Sequence, residues 1–411
     1  MTFSARKLYE YTIWVLTVFL ISSFQIFYQF SWGRYVFLIS SALIFLLSAF
    51  NNKGRIKLKI SFFHIALLLF TAYIFLNSLW SMDAERTVTM GTVLLSILLC
   101  YSLLYWAYIN IPNNFMFLST SVVAGSIVIG LYTVIYYGLN NLILAASENR
   151  IDNEYTNVNS IAIFLAVGFL VNLYLILVNG FKLWNIVPFL SLFLLAAIQS
   201  RKAIIVLVLG VLALIIMNTT SKKTALLNRI LKIFFIILAF IVGVYLMTKL
   251  PFLSGVNNRL DQMFNSFTGN GKADTSSLVR NKLIDIGLTW WAKYPIGGVG
   301  IDATREVSRM YLYDDYYMHN NYVEMLCGGG LIGFLLYYSM HAVLMKRFIS
   351  MRTSARKIYM LGIVILGLIL LSDYGRVSYY SKMVYFELMM LFVISESNAV
   401  TAERTLNDRQ D

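Results

Sequence analysis

His319 is one of three histidines in the chain, and it opens the run His319-Asn320-Asn321-Tyr322, which leads straight into an apolar stretch. An imidazole exchanges a proton near neutral pH, so at the mouth of an apolar helix it can serve as a general base toward a hydroxyl. The plain alternative is a histidine that caps a helix or sits at an interface without reacting. Asn320 and Glu324 stand one turn apart, so Glu324 either orients Asn320 or completes a polar helix face. The glycines at 328, 329, 330 and 333 that follow suit close packing between helices.

Two arginines can join the histidine. Arg201 lies between apolar runs in Ser200-Arg201-Lys202, where a guanidinium is costly unless it finds a partner. Its fork of donors suits a phosphate or diphosphate, while a snorkelling cation is the commoner outcome, and Lys202 reads as one. Arg280 stands beside the apolar stripe of an amphipathic segment, and on its own it is a solvated face residue. Arg305 and Arg309 lie one turn apart in a second short helix, expected over 303–311. Arg150 lies in the acidic and polar run Glu148-Asn149-Arg150-Ile151-Asp152. His64 and His341 read as packing residues, and Asp373 with Arg376 as a structural pair. Cys100 and Cys327 fall in apolar runs and read as buried small hydrophobes. The sequence has no zinc-ligand spacing, no Walker loop and no nucleophile elbow. Its carboxylates are not paired as a divalent metal would require, so metal-independent chemistry is the expectation.

These residues must be held by membrane helices. Of 411 residues 59% are hydrophobic and 13% charged, with mean hydropathy +0.71, whereas a soluble domain carries roughly 25% charge. The net charge of +13 comes from short clusters between apolar runs and does not signal nucleic acid. Apolar runs long enough to span fall near 11–31, 33–50, 60–80, 88–110, 115–138, 158–179, 183–199, 202–218, 230–249, 320–345, 357–372 and 380–396. The expected fold is therefore an all-α polytopic membrane protein with about 12 transmembrane helices and one large external loop containing short helices. Nine spans fall in 1–250, the loop in 251–319, three spans in 320–396, and a polar tail in 397–411. Arg6 and Lys7 precede the first run, which lacks a small-residue cleavage site and reads as a retained span.

Lys53, Arg55, Lys57 and Lys59, then Lys182, then Lys222, Lys223 and Arg229, then Lys346, Arg347, Arg352, Arg356 and Lys357 fall in alternate loops. The positive-inside rule puts these loops and both termini in the cytoplasm. Four unusual polar segments then share the opposite side: 148–155, 200–202, 251–318 and 373–376. Within the large loop, Asp274-Thr275-Ser276-Ser277 is a helix start. Val279, Leu283, Ile286 and Trp290 recur at helical spacing. Trp290, Trp291, Lys293 and Tyr294 suit a helix at the membrane interface, and Pro295 with the glycines at 297, 298 and 300 ends it.

With these motifs in order on one face, the chain resembles the O-antigen ligase/polymerase superfamily of bacterial membrane enzymes. The segment Gln199-Ser200-Arg201-Lys202-Ala203 is similar to that family's arginine turn. The run from Leu278 through Arg280 to Gly287, with Tyr294-Pro295-Ile296-Gly297-Gly298-Val299-Gly300, resembles its loop helix and glycine turn. The segment His319-Asn320-Asn321-Tyr322-Val323-Glu324, continuing to Gly333, resembles its His-Asn signature.

The resemblance implies a metal-independent and cofactor-free glycosyltransferase of the bacterial plasma (inner) membrane. Its partners would be an undecaprenyl-diphosphate-linked glycan donor, a glycan acceptor and membrane lipid, with a chain-length regulator compatible with the loop. It assigns Arg201 and Arg280 to the diphosphate and His319 to the acceptor hydroxyl, with Asn320, Tyr322, Arg150, Lys202 and Arg305 as substrate-binding candidates. The Ser-Arg-Lys-Ala turn and the uninterrupted run to Gly333 look more like Wzy-type polymerases than ligases, which pass the glycan to lipid A core or another acceptor. A flippase is the competing class, but such transporters have short loops, related halves and charges deep in their spans.

Overall fold

The computed structural model describes residues 5–28, 30–147, 157–219 and 275–397. The described residues are helical with turns and contain no strand. Seven of the described helices are long and apolar enough to cross a membrane. The expected span at 230–249, the first part of the large loop and the tail beyond 397 lie outside the described residues. The chain divides into two compact units, one built from Met1–Leu16, Arg34–Phe117 and Asp274–Asp411, the other from Thr17–Gly33 and Leu118–Ala273.

The helices of the first half are α1 (Ala5–Ile26), α2 (Gly33–Asn51), α3 (Phe62–Asn77), α4 (Ala84–Ile109), α5 (Asn114–Tyr137), α6 (Leu139–Ser147), α7 (Val158–Asn179), α8 (Leu190–Ile198) and α9 (Arg201–Thr219). In the second half come α10 (Thr275–Lys293), α11 (Thr304–Leu312), α12 (Asn321–Ser350), α13 (Arg356–Asp373) and α14 (Lys382–Glu396). The expected run at 183–199 is not one helix. Leu183–Phe189 forms a 3-10 turn that leads into α8, because Pro188 has no N–H to continue an α-helical ladder. The short loop helix expected over 303–311 forms as Thr304–Leu312.

In the second unit α7 is the helix most enclosed by protein. Small residues let its neighbours approach: Gly168 faces Ser126, and Gly210 of α9 faces Leu170. Asn172 and Asn185 satisfy each other within it, the Asn185 amide donating to Asn172 Oδ1 at 2.7 Å and Asn172 donating to the Asn185 carbonyl at 3.0 Å. That pairing removes the cost of amides among apolar side chains.

The first unit is organised around α12. Its helical backbone breaks at Gly330, where φ 61 and ψ −165 lie in a region essentially reserved for glycine. The break frees carbonyls before it and N–H groups after it. The turn between α10 and α11 supplies their partners: Val299 N donates to Cys327 O (2.9 Å) and Gly300 N to Gly328 O (2.8 Å), while Leu331 N donates to Pro295 O (2.8 Å) and Ile332 N to Ile296 O (3.2 Å). In a membrane each such group left unmet would cost several kcal/mol. The glycine cluster of α12 is thus a close-approach surface, as its composition suggests, but it receives a loop backbone as well as side chains.

Helix α3 locks the same joint. Tyr73 donates its hydroxyl to Gly329 O at 2.7 Å, and Asn77 donates to Gly297 O at 2.9 Å while accepting from Ile301 N at 2.7 Å. A β-carbon at Gly298 (φ +66) would sit 2.4 Å from Gly328 O, whereas one at Gly367 of α13 would meet nothing within 4 Å. Gly298→Ala is therefore expected to cost at least ~2 kcal/mol through strain and a backbone clash, read as a lowered melting temperature of the purified protein. Gly367→Ala should be neutral or stabilising by up to ~1 kcal/mol. Equal melting temperatures for the two variants would contradict the joint.

Candidate functional site

The His319 junction stands on the far side of this joint. Met318, fully buried, donates its N–H to Glu324 Oε2 at 2.8 Å. The other carboxylate oxygen of Glu324 accepts from Thr304 Oγ1 at 2.6 Å. Glu324 is 1% exposed, so it pins the residue before His319 to α11 rather than holding the Asn320 side chain. Asn320 is the N-cap of α12: its Oδ1 accepts from Tyr322 N at 3.0 Å and Val323 N at 3.2 Å, satisfying two of the orphan donors of a helix start. His319, between these two anchors, adopts the left-handed conformation (φ 53) and remains half-buried. Its ring lies 4.2 Å from that of Tyr317.

Tyr322 is also held internally. Its hydroxyl donates to Leu370 O at 2.7 Å, and its ring stacks on Tyr338 at 5.1 Å. The residue before it, Asn321, is fully buried. Its Oδ1 accepts from Ser378 N (2.8 Å) and Tyr379 N (3.1 Å), and its amide donates to Tyr338 OH (2.9 Å) and Asp373 Oδ2 (3.3 Å). Asp373 further accepts from Ser378 Oγ at 2.5 Å and Tyr338 OH at 3.0 Å. The start of α12 is thereby fixed to the α13–α14 connection. Asp373, read from sequence as half of a pair with Arg376, draws its hydrogen bonds from these groups and meets Arg376 through charge, while Arg376 Nε is buried with no hydrogen-bond partner among the described residues.

Helix α10 brings Arg280 towards this junction. Leu283 and Ile286 are buried in one cluster with Met318, Val323 and Cys327. At Gly287 an added β-carbon would come within 2.5 Å of Val323 and 3.2 Å of the Met318 sulfur. Arg280 stands one turn before Leu283 on this packed helix and is half-buried.

Arg305 sits in a cationic cluster around one acid. Asp315 accepts from Arg86 through both oxygens (3.1 and 3.2 Å), with Arg309 Nη2 at 3.5 Å and Arg305 Nη1 at 4.0 Å. Arg305 also bonds Asp302 at 3.3 Å and lies 5.6 Å above the Tyr317 ring, the ring that contacts His319. The Arg86 hydrogen bond holds the Asp315 carboxyl below the usual carboxylate range. Burial pushes Asp302 up in spite of Arg305. Burial also works against the charge on Arg305, but Asp302 and Asp315 outweigh it and raise its pKa.

In the second unit Arg201 and Lys202 open α9 and are half-buried. The turn before them is fixed by Gln199, which is left-handed (φ 51) and donates its side-chain amide to Ala145 O at 2.7 Å. Arg150 lies outside the described residues. The first unit therefore carries Arg280 on α10, Arg305 on α11 and His319, Asn320 and Tyr322 at the start of α12, and the second carries the arginine turn. Sequence reading did not single out Tyr73, Asn77, Thr304, Tyr317 or the Asn321 network. An asparagine and a tyrosine one turn apart at the end of an apolar run was the available signal for Tyr73 and Asn77.

Two outcomes test this arrangement. Glu324→Ala leaves Met318 N and Thr304 Oγ1 buried without their acceptor and should cost about 2–3 kcal/mol, with Thr304→Val costing less; calorimetric or fluorescence melting compares them. Asp315, whose folded pKa is depressed, contributes stability that is complete above its unfolded pKa of about 3.9 and is lost as pH falls through the folded value. The stability difference between wild type and Asp315→Asn should hence be constant from neutral pH to the upper carboxylate range and shrink below it; a difference that grows on acidification would contradict the assigned pairing.

No curated protein matches the chain. The family model described as O-antigen ligase matches residues 186–338, the stretch that contains Arg201, Lys202, Arg280, Arg305, His319, Asn320 and Tyr322. Over that stretch the chain is similar to the O-antigen ligase family, which supports the resemblance to the O-antigen ligase/polymerase superfamily.

Proposed function

We propose that the protein is a surface-polysaccharide polymerase that joins undecaprenyl-diphosphate-linked repeat units on the outer face of the bacterial plasma membrane. The observation that carries this reading is the anchoring of His319: a half-exposed imidazole between a buried Met318 held by Glu324 and an Asn320 engaged in capping. A general base works best when its backbone is fixed and its ring can reach substrate. Arg280, on the helix packed against the same junction, and Arg201, opening α9, are the cations for the diphosphate.

In this reaction an acceptor hydroxyl oxygen attacks the anomeric carbon of the donor glycan. The bond from that carbon to the diphosphate oxygen breaks, and the electron pair leaves with undecaprenyl diphosphate. His319 takes the hydroxyl proton, or orients the hydroxyl for its transfer. Arg201 and Arg280 offset the charge that develops on the departing diphosphate. Direct attack inverts the anomeric centre. Arg305, placed above Tyr317, and Lys202 serve the glycan or diphosphate oxygens, and Arg150 is proposed alongside them. Asn320 and Tyr322, whose hydrogen bonds described above are internal, contribute by shaping the helix start.

A ligase is the second reading. The matched family bears the ligase description, and the same donor chemistry serves a lipid A core or other acceptor. Cells lacking the gene, complemented at matched membrane expression with wild type, His319→Ala, Arg280→Ala or Arg201→Ala, separate the readings by glycan length. Loss of the base or of a diphosphate cation should lower transfer by at least about 100-fold. Single-repeat capped glycan without long polymer identifies a polymerase; long polymer retained on the carrier lipid identifies a ligase. Normal ladders from all three variants would remove the catalytic assignment.

A further inference from the structure

The groove between α3 and α4, remote in sequence from the matched domain, has the features of a lipid site. It encloses about 410 Å³ and is lined by apolar side chains including Leu68, Leu98, Leu99 and Trp106. Two polar side chains interrupt that lining, Ser102, whose hydroxyl donates to Leu98 O at 2.7 Å, and His64. His64 Nδ1 accepts from Ser61 N at 3.1 Å, so the neutral ring carries its proton on Nε2. His64 is 8% exposed and its Nε2 is buried with no hydrogen-bond partner. Trp106 stacks on the imidazole at 5.5 Å, and its own N–H is used by Lys59 O at 3.0 Å. His64 therefore brings a buried N–H donor with no hydrogen-bond partner among the described residues to the edge of a largely hydrocarbon-lined groove, and a purely hydrocarbon occupant would leave it unmet.

Charge at the mouth narrows the occupant further. The stretch leading into α3 carries Lys53, Arg55, Lys57 and Lys59, all exposed. Lys59 pairs with Glu396 at 2.7 Å. Exposed basic residues beside a membrane helix attract anionic headgroups.

We propose that this groove binds one anionic glycerophospholipid. One acyl chain fills the apolar channel, an ester or phosphate oxygen accepts from His64 Nε2–H, and the headgroup lies against the basic stretch 53–59. A polyprenyl phosphate is the competing occupant, since it too joins an apolar chain to an anionic head. The proposal goes beyond the glycosyl-transfer reading and does not depend on it.

The test is native mass spectrometry of the full chain released from nanodiscs containing equal phosphatidylglycerol and phosphatidylcholine. Wild type should retain one phosphatidylglycerol per chain in clear preference to phosphatidylcholine. His64→Phe, which keeps the ring and removes the donor, and Ser102→Trp, which fills the groove, should each lower retention by about tenfold. Arg55→Gln with Lys57→Gln should reduce the preference for phosphatidylglycerol by roughly tenfold or more while phosphatidylcholine retention stays the same. Equal retention of the two lipids by wild type, unchanged retention in Ser102→Trp, or displacement of phosphatidylglycerol by undecaprenyl phosphate would each overturn the proposal.

Discussion

The break in α12 at Gly330 sets what the rest of the first unit must do. A membrane helix that opens in mid-span exposes backbone donors and acceptors where water cannot reach them. Here the exposed groups are met by the turn 295–300 on one side and by Tyr73 on another. The turn consequently packs its second half, Gly298 to Gly300, against the α12 backbone, while Pro295 and Ile296 stay exposed. Glycine at 298 and at 330 is required because the two backbones approach too closely for any β-carbon. Asn77 then secures the turn by accepting from Ile301 N and donating to Gly297 O, so α3, the turn and α12 form one joint.

That joint explains how a polar loop can position chemistry with little freedom. The loop enters and leaves through fixed points, the turn at 295–300 and the capped start of α12, and between them Glu324 draws Met318 and Thr304 together. These contacts differ in strength from the arginine cluster around Asp315. Asp315 is 40% exposed at its side chain, and ion pairs in that setting contribute little net stability. Glu324 is enclosed, and the groups it satisfies have no solvent to fall back on. The buried carboxylate therefore holds the junction, while the exposed cluster gives the surface beside α11 its charge and places Arg305 over Tyr317.

The spans were legible in the sequence wherever an apolar run had the length of a bilayer, because that requirement is set by length and composition alone. The loop helices were legible for a similar local reason, since the stripe Val279, Leu283, Ile286 and Trp290 keeps one period throughout. The break in α12 was not. Three consecutive glycines are equally compatible with a tight helix crossing, and only the partner of their backbone distinguishes the two. That partner lies about one helix and a turn away in sequence, while Asn77 and Tyr73 lie more than 200 residues from the groups they bond. The same limit applied to Glu324, whose spacing pointed to Asn320 but whose carboxylate turned to Thr304 and Met318. Pro188 is a local case, a single residue that interrupts what composition alone reads as a continuous span.

A lipid-linked glycan is apolar at one end and heavily hydroxylated at the other, so its reacting diphosphate must be held where hydrocarbon meets water. A flexible loop could supply the polar groups but would lose orientation with every opening, and a continuous helix could supply rigidity but no polar backbone. The interrupted α12 reconciles the two requirements. Its second half continues as a conventional apolar span, and its first half is stitched to a loop that carries the histidine and faces arginine-bearing α10. Placing the imidazole one residue before the Asn320 cap gives it a fixed origin without burying it. For the proposed transfer this matters more than the number of cations nearby, because proton removal depends on distance to one hydroxyl, whereas charge on the diphosphate is felt over several ångströms.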